Sequence, residues 1–295
     1  MLKIISADER LATPPKINMT ILGASGVGKT SLVRTLPANN TLFIDGEAGS
    51  LAIQGWRGDL VKIREQANAM GCHPWELAKA LACWLGGPNP ADANGFYSRG
   101  TYENLLQTMG SLEVLAKYET IFVDSLTDIS RLCLDWCKTQ PQAFSEKTGK
   151  ADTRGAYGLL GQEMTRWLIH LQHSSKSVIT VGILDKAEDD LKRAFWKPQI
   201  EGTTTANALP GIFDLVMTLA SFTTPSNVPY RALVCHKINP WEYPAKDRSG
   251  CLDMIEEPDL SKIMKKIREG IRKDSVYQSA IPQAEQAAIT GTTES

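Results

Sequence analysis

Short apolar runs separated by turn residues set the pattern of this chain. Lys16 to Leu22 (KINMTIL), Thr41 to Asp45 (TLFID), Glu119 to Asp124 (ETIFVD), Ser177 to Leu184 (SVITVGIL) and Ile212 to Leu219 (IFDLVMTL) are each five to eight residues long. Runs of this length, apolar on successive positions, mark strands buried on both faces. Between them the period changes to that of a helix. Thr30 to Leu36 reads as a helix stopped by Pro37, and Pro74 to Leu85 as an amphipathic one. Thr101 to Lys117 reads as one helix, with Leu105, Leu106, Met109, Leu112 and Leu115 on a broad face. Further helices start at Ser125 and span Ala156 to His173. Asp59 to Ile63 reads as a short edge strand. Arg231 to His236 folds back across the turn Pro225–Pro229 as an antiparallel edge hairpin. Strands alternating with helices predict an α/β fold, a mostly parallel twisted sheet flanked by helices.

The same pattern divides the chain. Residues 1–15 form an arm ending at Pro14-Pro15, and residues 16–255 form the core. Within the core, about 52–100 carries no motif and reads as an insertion that shapes a partner surface. Residues 256–274 hold a basic amphipathic helix, with Ile263, Ile267 and Ile271 four apart among lysines and arginines. Residues 275–295 are polar and small, the composition of a disordered tail.

Candidate chemistry sits where the first strand meets the first helix. Gly23-Ala24-Ser25-Gly26-Val27-Gly28-Lys29-Thr30, followed by Ser31, fits G-x-x-x-x-G-K-[ST], the phosphate-binding loop. The glycines let several backbone N–H groups converge on a phosphate chain. Lys29 supplies a point charge, and the Thr30 hydroxyl completes the shell of a Mg²⁺ ion. Two strand ends add carboxylates, because ligands of a parallel sheet bind at the carboxyl ends of its strands. Asp124 is the expected second metal ligand. Glu47, in Asp45-Gly46-Glu47-Ala48-Gly49, is the candidate base that orients or activates an attacking water.

Composition changes the picture in two ways. Lys+Arg is 32 against 33 for Asp+Glu, so no global charge advertises a nucleic-acid partner. Locally, Lys138 to Arg154 carries four basic residues against two acidic ones, with Phe144 inside it and Tyr157 just beyond. Such a loop grips single-stranded nucleic acid, or is simply solvated. Asp185 to Gln199 reads as a long loop balanced at four against four. Six scattered cysteines fit no metal spacing, and no apolar segment is long enough to span a bilayer. The expectation is a soluble protein of a reducing cytoplasm.

In the order GASGVGKT, FIDGEAG, TIFVDS, SVITVGILDKAED, TTTANAL and FDLVMTL, the chain resembles the RecA-type ATPase core over roughly residues 16–250. It is most similar to the short phage-encoded members implicated in single-strand annealing and recombination, which carry the AAA-family label. The resemblance implies ATP and Mg²⁺ as ligands, single-stranded DNA as partner, and self-association into a ring or filament. It implies that Glu47 activates water. Lys138 to Tyr157 would match the first DNA-binding loop, and Asp185 to Asn207 the second. Lys246 and Arg248 would match a basic pair that reaches a neighbouring subunit's phosphates. Leu184-Asp185 departs from the family's polar sensor position. Two other functions stay open: a P-loop small-molecule kinase, and an ATP-switched binding module with little turnover.

Overall fold

A computed structural model describes residues 3–271. The tail 275–295 therefore lies outside the described residues, as do Arg272 and Lys273. The arm carries a six-residue helix α1 (Ala7–Ala12) with no buried side chain. The chain then enters β1 (Asn18–Gly23), β2 (Thr41–Asp45) and β3 (Asp59–Lys62). Helices α2 (Ile63–Met70), α3 (Pro74–Gly86), α4 (Arg99–Met109) and α5 (Leu112–Ala116) precede β4 (Thr120–Asp124). Next come α6 (Leu126–Cys137), α7 (Thr153–Gln172) and the hairpin β5 (Ser177–Glu188)–β6 (Ala194–Pro198). Helix α8 (Thr203–Ile212) leads to β7 (Leu215–Thr223) and β8 (Pro229–Val234). The short β9 (Lys246–Asp247), β10 (Ile255–Glu256) and helix α9 (Leu260–Glu269) follow.

The main sheet runs β10-β8-β7-β1-β5-β4-β2-β3. It is parallel from β7 to β3 and antiparallel where β8 meets β7 and β10 meets β8. This is a mixed, helix-flanked α/β sheet, with the expected hairpin near one edge. Alternation along the strands builds two cores. Leu42, Ile44, Ile121 and Val123 face α3, α6 and α7, with Trp75, Ile129, Leu160 and Trp167 packed there. Phe43, Phe122, Ile179 and Met217 face the other way, onto Leu32 and Val33 and onto Leu260 and Ile263 of α9.

Several elements differ from the sequence pattern. Thr30–Thr35 is a single short 3₁₀ stretch rather than a full helix. Its β-branched Thr30, Val33 and Thr35 are weak helix formers, and Pro37 leaves it no length. Gly110, at φ 112°, splits the expected helix 101–117 into α4 and α5. The charged stretch after Leu184 is a hairpin, with Lys186 opposite Trp196 and Glu188 opposite Ala194. The Thr203-Thr204-Thr205 run opens a helix, because Thr205, Ala206, Leu209 and Ile212 bury one face. The block 52–100 is built into the core: α3 buries Trp75, Leu77, Leu81 and Trp84, and the Trp167 indole donates to the Ala78 carbonyl at 2.9 Å. In α9, Ile263 and Ile267 are buried, while Ile271 lies past the left-handed Gly270 and is exposed.

One core contact is ionic. Lys79 of α3 is buried, pairs with Glu163 of α7 at 2.9 Å, and lies 4.0 Å over the Trp136 ring. Breaking a buried pair from one side strands the other charge. Lys79→Ala is expected to cost about 3–5 kcal/mol in urea denaturation. A Lys79→Met, Glu163→Met double variant is expected to recover most of that loss. No helix among the described residues is long and apolar enough to cross a membrane.

Candidate active site

The loop Gly23–Thr30 leaves the carboxyl end of β1, the strand flanked by β5 and β7. Gly26 and Gly28 take φ of 76° and 101°, which only glycine adopts without strain, so the intervening backbone curls into a nest. Gly23 answers a second need. A Cβ there would sit 2.5 Å from the Leu219 carbonyl of β7, so the loop is held close against the sheet. Lys29 is buried, and its Nζ donates to the Gly23 and Ala24 carbonyls, at 2.9 Å each. Burial pushes its pKa down, opposed by the charges of Asp124, Glu47 and Asp185. The amine is thus held folded over the loop.

Asp124 ends β4 directly across from Asp45 of β2. It is 1% exposed, and neither carboxylate oxygen has a hydrogen-bond partner. Burial lifts its pKa to about 7; the Thr30 hydroxyl faces the carboxylate and draws the value back without closing a hydrogen bond. Gly49 completes this corner. A Cβ there would meet Thr30 Cγ2 at 3.5 Å and Asp124 Oδ2 at 3.6 Å, filling the space beside both. A buried orphan carboxylate, a hydroxyl beside it and an open cradle fit a small hard cation that keeps waters and phosphate oxygens in its shell. No group of three or more His, Cys, Asp or Glu suited to a metal exists among the described residues. A cation here would therefore be completed by its substrate.

The segment after β2 is tied down by Asp45. Its buried Oδ1 accepts from the N–H groups of Glu47, Ala48 and Gly49, at 3.0, 2.7 and 3.3 Å. The Gly46 N–H donates to the Asp124 carbonyl at 2.6 Å. Glu47 is exposed on this strapped turn. Desolvation first, and the nearby Asp128 second, push its pKa above the ordinary range, while Lys29 pulls it down. The turn that carries Glu47 thus shares a corner with Lys29, Thr30 and Asp124.

Residues 15–249 match the family model described as an AAA domain. The chain belongs to the AAA domain family. That assignment fits an NTP-binding and hydrolysing α/β domain, with the phosphate loop at its start. No curated protein matches the chain.

In this AAA domain, Lys246 and Arg248 are not near the phosphate loop. Lys246 lies beside Val216, at the end of the sheet where β1 begins. Its Nζ donates to the Pro210 and Phe213 carbonyls, and Arg248 pairs with Asp214 at 2.8 Å. Neither reaches the phosphate site of its own chain. Two arginines with no motif of their own do approach that site. Arg131 pairs with Asp128 at 3.3 Å and reaches Gln199 at 3.4 Å. Arg231 of β8 donates to the Val27 carbonyl at 3.1 Å. Only the fold could bring these together, since Arg231 and Val27 are 204 residues apart. A groove of about 910 Å³ along α7, lined by Tyr157, Arg166 and His170 among others, shares no residue with the phosphate loop.

Proposed function

We propose that the chain is a Mg²⁺-dependent ATPase that works on single-stranded DNA, in annealing or recombination of the kind its phage-encoded look-alikes carry out. The observation that carries the ATPase part is the buried, unpartnered carboxylate of Asp124 beside Thr30, at the end of the phosphate loop. Loop amides and Lys29 bind the phosphates, replacing the Gly23 and Ala24 carbonyls that now hold the amine. Thr30 and Asp124 would hold Mg²⁺, which when bound offsets charge developing on the transferred phosphoryl group. Glu47 accepts the proton of the attacking water.

The DNA part is supported by the loop between α6 and α7. Phe144 and Tyr157 are exposed, and Lys147, Lys150 and Arg154 form no ion pair among the described residues. Aromatic faces among free cations are the ingredients of a single-strand platform. The β5–β6 hairpin has less to offer, since Arg193 is paired with Asp189 and Lys186 lies over Trp196. Self-association belongs to the same reading. In a ring or filament, Lys246 and Arg248 would leave their present partners for a neighbour's phosphates.

Phosphate release, measured with and without a single-stranded oligonucleotide, tests the reading. Turnover is expected to rise with DNA, and Lys147→Glu with Lys150→Glu is expected to remove the rise while keeping basal turnover. ATP turnover indifferent to DNA across salt conditions would refute the DNA part and leave the ATPase part standing.

A further inference from the structure

Arg231 lies against the phosphate loop from an unexpected direction. It extends from β8, where it pairs in register with Ser221 of β7, two strands away from β1. One of its N–H groups reaches the Val27 carbonyl at 3.1 Å. The same nitrogen occupies the space that a Cβ on Gly28 would take. Gly28 takes the left-handed conformation, and the guanidinium lies directly against it at the loop's surface. The charge has no carboxylate partner among the described residues, although Asp189, Asp214 and Asp128 each pair with a neighbouring arginine. Alternation along β8 sets its direction. Leu233 and Cys235 belong to the core beneath the 3₁₀ stretch Thr30–Thr35, and Arg231 shares their face of the sheet.

The loop is thus bracketed by two cations. The Lys29 amine sits at its start, on Gly23 and Ala24, and the Arg231 guanidinium sits at its end, on Val27 and Gly28. Each is held by loop carbonyls, which are weak partners for a full charge compared with a phosphate oxygen. A guanidinium has five donors, and among the described residues only one bond from it is formed here.

We infer that Arg231 is a phosphate-binding residue acting on nucleotide in the same chain, exchanging the Val27 carbonyl for an oxygen of the phosphate chain. This rests on the ATPase reading above. It goes beyond it by assigning a second cation from outside the loop. It also joins the β7–β8 hairpin to the nucleotide through this side chain.

The test is a fluorescence titration with mant-ATP, mant-ADP and mant-adenosine on the full chain, comparing wild type with Arg231→Ala and Arg231→Lys. Thermal midpoints without nucleotide are read in parallel. Arg231→Ala is expected to bind mant-ATP about 10- to 100-fold more weakly. Its mant-adenosine signal and its nucleotide-free midpoint should match wild type, and Arg231→Lys should recover part of the loss. Unchanged mant-ATP affinity in Arg231→Ala overturns the inference. So does an equal loss for mant-ATP and mant-adenosine, which would make Arg231 a clamp on loop shape. Failure of the wild type itself to bind mant-ATP is a different result: it removes the ATPase reading, and this inference with it.

Discussion

Glu47→Gln is expected to keep ATP affinity near the wild-type value while turnover falls by about 10²- to 10⁴-fold. The substitution is nearly isosteric. The turn that presents residue 47 is held by Asp45, whose Oδ1 takes three backbone N–H groups, so its shape does not depend on the Glu47 side chain. What changes is the ability to accept a proton. Lys29→Ala is the opposite control, expected to lose nucleotide binding itself, because its amine is the buried charge of the loop. The pH profile separates a base from a bystander. Partial burial and Asp128 hold the Glu47 pKa above the ordinary 4.5. Turnover should therefore fall as pH drops through a limb lying above the usual glutamate range. Glu47→Gln should lack that limb in what activity remains. Phosphate release across pH, beside mant-ATP titration, reads both quantities. A Glu47→Gln protein that hydrolyses ATP at the wild-type rate would place the base elsewhere, with Asp128, next to it and paired to Arg131, the group to examine.

The parts of this site that were legible in the sequence are those in which local order carries the chemistry. Gly26, Gly28 and Lys29 lie within one turn of chain, and the conformation they need is a property of glycine itself. Asp124 and Asp45 were legible because an apolar run ending in a carboxylate places that carboxylate at a strand end, and here the two are direct partners across β4 and β2. Arg231 was not legible. Its neighbours in sequence, Tyr230 and Ala232, say only that it lies in a strand, and its partner is 204 residues away. The β5–β6 hairpin was hidden for another reason. The end of β5 past Leu184 and most of β6 face solvent, so charged side chains replace the apolar alternation that would have revealed them. The threonine run at 203–205 falls in the segment that the resemblance matches to a loop, although the buried spacing of Thr205, Leu209 and Ile212 that stabilises α8 is helical. Lys246 and Arg248 follow the last long strand, and the short β9 places them at the opposite end of the sheet from the loop of their own chain, a position that order along the chain does not reveal.

Asp124→Asn is expected to do two things that ordinarily oppose each other: raise the stability of the nucleotide-free protein at pH 8, and lower turnover by at least about 10²-fold. The stability argument starts from the isolation of the side chain. Both oxygens are buried and unpartnered, so ionising the carboxyl costs solvation that the fold does not return. Its pKa accordingly stands at about 7 rather than 3.8. The unfolded chain gives up this proton near pH 4, while the folded chain keeps it to about pH 7. Between these values the folded state binds more protons, so stability falls as pH rises, and the penalty is complete above the folded value. The gap corresponds to on the order of 4 kcal/mol. An asparagine amide without partners costs part of that, leaving a net gain of about 1–3 kcal/mol at pH 8 and none at pH 4.5. Urea denaturation of both proteins at the two pH values measures it, since titrations common to both cancel in the difference. A variant less stable than wild type at pH 8 would mean that the charge is compensated in the folded chain, and that the corner shared by Thr30, Gly49 and Asp124 is not waiting for a cation. A variant that is more stable yet inactive would show the opposite. The chain would then be maintaining an uncompensated carboxylate at a cost in stability, because the incoming ion and phosphates need it there.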